Sequence, residues 1–225
     1  MTLKLAAIAL LSLTAAVGLP ACANSRDAAV EPSTEETAQM DHGGMGQMES
    51  GGMMDHGSMD LGPADESFDL RFIDAMIMHH QGAVVMAEDA QQASTRPEIQ
   101  TLASDIIAAQ QTEIAEMQAW REGWYPDASA EPVMYNAEMG HMMPMSADMM
   151  SAMMMDVDLG TADDEYDLRF INAMIPHHEG ALTMAQEALA KSSRPEIQEL
   201  AEAIIASQQV EIDQMTQWRQ DWYGQ

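Results

Sequence analysis

Met76-Ile77-Met78-His79-His80 returns 98 residues later as Met174-Ile175-Pro176-His177-His178. These two runs hold four of the chain's seven histidines. In each, a methionine precedes the two imidazoles by three and four residues. That is one turn of an α-helix, so thioether and imidazole share a face if the stretch is helical. The likeness continues on both sides. Residues 68–125 and 166–223 align without gaps, with 35 identities in 58 positions, which marks a duplication.

Each copy reads as two helices. Phe68, Phe72, Ile73, Met76, His79, His80, Ala83, Met86, Ala87 and Ala90 recur at spacings of three and four. Ile99, Leu102, Ala103, Ile106, Gln110, Glu113, Met117, Trp120 and Trp124 do the same. Between them, Thr95 and Glu98 fit a capping box with Pro97 in the first turn; Ser193, Pro195 and Glu196 match in the second copy. So short a connection forces an antiparallel hairpin. Folding about residues 95–96 puts His80 opposite Gln111 and its neighbours, and Met76 opposite the stretch from Glu113 to Met117. Met76, His79, His80, Glu113 and Met117 are therefore expected to converge mid-hairpin. Met174, His177, His178, Glu211 and Met215, the same five residue types, form the second cluster.

A lone hairpin would leave one side of its apolar face wet. The expected fold is all-α: a four-helix bundle of two duplicated antiparallel hairpins, spanning 64–125 and 164–225, around a shared core. Aromatics make up only 5% of the chain, and the apolar residues are mainly Ala, Met, Ile and Leu, which favours helices over a sheet core.

The rest of the chain reads differently. Residues 1–22 form an export signal, with Lys4 ahead of an apolar run from Leu5 to Leu19 that is too short to span a bilayer comfortably. Leu19-Pro20-Ala21-Cys22 resembles a bacterial lipobox, which would lipidate Cys22, the only cysteine. Cleavage after Ala23 is the competing reading and would leave a soluble periplasmic protein. With no Asp after the cysteine, an anchored form is expected in the periplasm at the outer membrane, touching membrane only through its lipid. Residues 23–63 read as a flexible Gly-rich tether. It carries Met40, His42 and Met45, then Met53, Met54, His56 and Met59. Residues 126–163 read as a Met-rich linker with Met139, His141, Met142, Met143 and Met145, followed by a short helix over 146–156 capped by Ser146. Ten methionines lie in this linker and six in the tether, of 24 in the chain. Oily gap-filler would instead be spread through the core.

Thioether sulfur is a soft, neutral donor, and together with imidazole it selects Cu(I), with Ag(I) as a mimic. Outside the cytoplasm thiols oxidise, which makes methionine a practical soft ligand there. The formal charge of −28 excludes a nucleic-acid partner, which needs Lys and Arg clusters. Taken singly, these residues have plainer roles: a helical methionine is usually core, and an inward histidine is usually hydrogen-bonded. Adjacent histidines point about 100° apart on a helix, so one can ligate while the other reaches a carboxylate or the partner hairpin. Glu113 and Glu211 either touch metal or orient a histidine. Pro176, which replaces Met78, removes a helix hydrogen bond and either opens a position before His177 or bends the helix.

Met174-Ile175-Pro176-His177-His178-Glu179-Gly180-Ala181, Met184-Ala185, Gln208, Glu211-Ile212, Met215 and Trp218 resemble the exported bacterial family called domain of unknown function 305. The first copy matches through Met76-Ile77, His79-His80-Gln81-Gly82-Ala83, Met86-Ala87, Gln110, Glu113-Ile114, Met117 and Trp120. The resemblance implies a ferritin-like four-helix arrangement. It also implies periplasmic copper binding and copper resistance, as in some Met- and His-rich members. The expected function is Cu(I) sequestration, tolerance or transfer, with metal ions and another copper carrier or an efflux component as partners. An enzyme is the lesser expectation. A carboxylate-bridged di-iron site takes Glu-x-x-His pairs, and position 76 is Met, so iron is disfavoured. A metal-free envelope scaffold is the third reading.

Overall fold

The computed structural model describes residues 60–225. Two long hairpins carry the chain: α1 (Phe68–Ala93) with α2 (Pro97–Trp124), and α4 (Tyr166–Lys191) with α5 (Pro195–Tyr223). They make the four-helix arrangement that the apolar periodicity predicts. Between the hairpins lie β1 (Val133–Asn136), β2 (His141–Pro144) and α3 (Ala147–Met154). Among the described residues, no helix is long and apolar enough to cross a membrane.

The hairpin turns are closed otherwise than by a capping box. Arg96, not Thr95, is the N-cap of α2, because Pro97 takes the first helical position that its fixed φ suits. The turn is held by Ser94, whose Oγ accepts from Arg96 N at 3.1 Å and whose carbonyl accepts from Gln100 Nε2 at 2.8 Å. Ser192, Arg194 and Gln198 repeat these bonds in the second hairpin. The half-buried cap residues are then used between hairpins. Arg96 Nε meets Asp167 Oδ2 at 3.0 Å, and Arg194 Nε meets Asp69 Oδ2 at 3.1 Å. The Arg96 guanidinium lies 4.4 Å from the Trp222 ring centre, and that of Arg194 lies 4.3 Å from Trp124. Each hairpin tip therefore docks on the base of the other, and an approximate two-fold axis relates the copies.

The duplication also begins earlier than residue 68. The buried Arg71 donates to the carbonyls of Leu61 and Pro63 and to Asp65; Arg169 donates to Leu159, Thr161 and Asp163 in the same way. Asp60-Leu61-Gly62 and Asp158-Leu159-Gly160 are thus the true starts, with positive φ at both glycines. The last residues of the expected tether belong to the fold.

The join is not a loose linker either. Val133 N donates to Asp74 Oδ2 at 2.9 Å, and Arg121 donates to Asp74 and to the carbonyl of Ser129. β1 and β2 pair antiparallel, around a turn in which Asn136 Oδ1 accepts from Met139 N and Asn136 O from Gly140 N. Four-residue strands rich in methionine carry little β signal, which is why the sequence reads as coil. Ser146 Oγ caps α3 by accepting from Met149 N at 3.2 Å. Met155 ends that helix in the left-handed region, at φ 48°.

The core is in two parts. One holds Phe72, Ile73, Met76, Ile77 and Met117 with Ala181, Met184, Ala188, Ile197 and Ile204. The other holds Ala83, Met86, Ala90, Ile99 and Ile106 with Phe170, Ile171, Met174, Ile175 and Met215. Each draws on both repeats, so neither hairpin buries its apolar face alone. What separates the two parts is polar.

Candidate metal centre

Between the apolar clusters, α1 offers His79 and His80, α4 His177 and His178, α2 Gln110 and Glu113, and α5 Gln208 and Glu211. The four histidines are buried, as are both glutamines. His79 and His177 meet across the two-fold axis with ring centres 3.8 Å apart, and His177 and His178 lie 6.3 Å apart. The expectation of one cluster within each hairpin gives way here to a single histidine layer across the bundle middle. Docking the hairpins about a two-fold axis at equivalent residues forces the two copies of position 79 together. Met76 and Met117 border this layer on one side, and Met174 and Met215 on the other, all fully buried.

His80 Nε2 donates to Glu113 Oε2 at 2.7 Å, and His178 Nε2 to Glu211 Oε2 at 2.6 Å. Glu113 stands two positions beyond the residue set opposite His80 by a fold about 95–96. The two glutamates thus orient histidines and reach the surface, each with 17% of its side chain exposed. His177 Nε2 donates to the carbonyl of Met154 at 3.0 Å. In these three imidazoles Nδ1 is left buried without a partner, and in His79 both nitrogens are. With Gln110 Oε1 and Gln208 Oε1, seven buried polar atoms of one layer lack a hydrogen bond. Native interiors hold few such atoms, since each costs about 1–3 kcal/mol.

The layer is also poised electrically for a cation. Burial, followed by the neighbouring His177, holds His79 well below the ordinary imidazole range. Burial, with the charge of His178 next, brings His177 down to about 3. Both rings are therefore neutral at neutral pH, each with one N–H and one nitrogen lone pair available to a metal. Nε2 held by a carboxylate or carbonyl while Nδ1 faces inward is the arrangement that fixes a ligating tautomer. Among the described residues, no three His, Cys, Asp or Glu side chains close on one point. The donor set here is imidazole with thioether, which is soft, and not the carboxylate-rich set of a di-iron site.

Sequence reasoning misses the part played by α3. Its last carbonyl, on Met154, sits against Gly82 so closely that a Cβ there would collide with it. The same oxygen receives His177. Two-fold symmetry is therefore broken at the centre: α3 covers the His177 side, and His79 has no such partner. The glycine at position 82 was the available signal, because a helical Gly beside a buried face marks close backbone approach.

The remaining expected ligands are placed variously. His141 and Met143 lie on β2 with Met142, whose side chain takes the opposite face; Met139 is in the turn and 54% exposed. Met145 is buried in the first core cluster. Met40, His42, Met45, Met53, Met54, His56, Met59 and Cys22 lie outside the described residues.

The model for "Domain of unknown function (DUF305)" matches residues 19–121 and again 69–219. The chain belongs to this family. Among solved structures, CopM in its Cu(II)-bound form is 40% identical, with a TM-score of 0.55, over 69% of this chain and 97% of that one. CopM in its Cu(I)-bound form is 38% identical with a TM-score of 0.53 and the same coverage. A DUF305 protein from Streptomyces coelicolor is 29% identical over 68% of this chain and 90% of its own, with a TM-score of 0.53. A curated relative from Acanthamoeba polyphaga mimivirus, uncharacterized protein L153, is 45% identical over 49 residues. The match spans only 32% of that relative's length.

Proposed function

We propose that this protein binds Cu(I), and Ag(I) by the same softness, in the histidine layer between its two core clusters. It would thereby sequester copper, confer tolerance to it or pass it to another carrier or efflux component in the cell envelope. One observation carries the reading. Seven buried polar atoms without partners belong to a single layer of imidazoles and glutamines flanked by four buried methionines. An apolar packing role leaves that cost unanswered, whereas a soft cation accepts donation from the lone pairs directly. The similarity to CopM, whose structures hold Cu(I) and silver, supports the same reading.

Export follows from residues 1–22, and a lipid on Cys22 would hold the protein at the outer membrane. Mass spectrometry of the membrane fraction tests this; an unmodified amino terminus at residue 24 would show a soluble periplasmic protein instead. The metal reading is tested by titrating metal-free protein with Cu(I) against a chromophoric chelator. Competition at micromolar metal is expected, and its absence would end the proposal.

A further inference from the structure

The β-hairpin between the repeats has two unlike faces. Register places Val133 opposite Pro144 and Tyr135 opposite Met142 on one face, and Met134 opposite Met143 and Asn136 opposite His141 on the other. The first face is structural: Val133 is buried, and the Arg71 guanidinium lies 5.4 Å from the Tyr135 ring centre. The second gathers two thioethers and an imidazole. Asn136 Nδ2 donates to Met143 Sδ at 3.4 Å, which shows the shared face directly. Met134 packs against the core, Met143 is half-buried, and His141 is exposed. The face therefore runs from a dry end to solvent.

His141 is oriented as a ligand would be. Its Nδ1 donates to the carbonyl of Met142 at 2.8 Å, which sets the tautomer and leaves the Nε2 lone pair free. Opposed residues in an antiparallel pair have Cβ atoms about 5 Å apart, and next-but-one residues of a strand stand about 7 Å apart. Methionine has three rotatable side-chain bonds, so sulfurs at 134 and 143 can both reach an ion held at His141. Two thioethers and one imidazole form an uncharged, soft, three-donor set. It suits Cu(I) or Ag(I) and offers little to a hard cation.

We propose that Met134, Met143 and His141 form a second, solvent-facing Cu(I) site, distinct from the buried histidine layer. The proposal rests on the soft-metal reading of the chain and adds a place where an ion binds without any opening of the bundle. The core end supplies rigidity, and the exposed imidazole supplies access.

The test is titration of the full chain, with its methionine methyl groups labelled with carbon-13, against Ag(I), which is redox-inert. Methyl signals of Met134 and Met143 are expected to shift within the first equivalents. In His141→Ala their response is expected to need at least tenfold more Ag(I), and Met143→Leu is expected to abolish the response at Met134. Met76 and Met174 report the histidine layer in the same spectra. If those two respond while Met134 and Met143 stay still, the hairpin site is refuted and the buried site stands. If none responds, both readings fall. A Met134 response equally strong in His141→Ala would also overturn the three-donor site.

Discussion

Replacing His79 by leucine should make the metal-free protein more stable. His79 is fully buried, neither ring nitrogen has a partner, and burial holds the ring uncharged. Two such atoms at about 1–3 kcal/mol each represent a penalty that an apolar side chain of similar volume removes. Against this stands the ring contact with His177 at 3.8 Å, a loss of about 1 kcal/mol. The net expectation for His79→Leu is a gain of about 2 kcal/mol, or roughly 4–8 °C in Tm for a domain of this size. Urea unfolding followed by the fluorescence of Trp120, Trp124, Trp218 and Trp222, with a chelator present, gives the first number. The second measurement is the rise in Tm on adding Ag(I), which should be large in the parent and much reduced in the variant. A variant destabilised by more than about 1 kcal/mol, with its Ag(I) response intact, would refute the reasoning. His79 would then be a packing residue whose orphaned nitrogens mean nothing for function.

Acid should weaken the metal-free bundle. The folded-state value of His177, about 3, lies below the ordinary 6.5, so the unfolded chain binds more protons between them. Stability is complete above pH 6.5 and is lost as pH falls toward 3, by about 5 kcal/mol from this group at the acid limit. Ag(I) should move the acid midpoint downward, as read by circular dichroism. Glu113→Gln exchanges the carboxylate that holds His80 for an amide and should weaken Ag(I) affinity about 10- to 100-fold, measured by competition, with little change in fold. Gly82→Ala, a change worth up to about 1 kcal/mol in favour of a free helix, should instead destabilise by about 1–3 kcal/mol. Its Cβ would occupy the position of the Met154 carbonyl and lift α3 off α1. Unchanged urea stability and an undisturbed His177 proton signal would count against that account.

Much of the site could be read one hairpin at a time. A three-residue turn and the 3.6-residue period leave a hairpin little choice of register, so Glu113 falls near His80, and Glu211 near His178, from spacing alone. The capping box expected at Thr95 does not form, for a similarly local reason. Pro97 fits the first position of α2, and the cap moved to an arginine whose real partners, Asp167 and Trp222, belong to the other repeat. The start of the duplication at Asp60 and Asp158 was visible in the sequence, but its meaning was not, because Leu61 and Leu159 matter through their carbonyls.

The sequence by itself determined the helices, their antiparallel pairing, the duplication and the inward face of His79, His80, His177 and His178. Each follows from periodicity and turn length, which act over a few residues. Only the tertiary structure decided that the two histidine pairs form one layer, that α3 caps one side of it, and that Met134 joins His141 and Met143 on a strand face. Those outcomes depend on how separate elements dock. Docking is set by complementary surfaces far apart in the chain, such as Arg96 with Asp167 and Gly82 with Met154, which leave no periodic trace in the sequence.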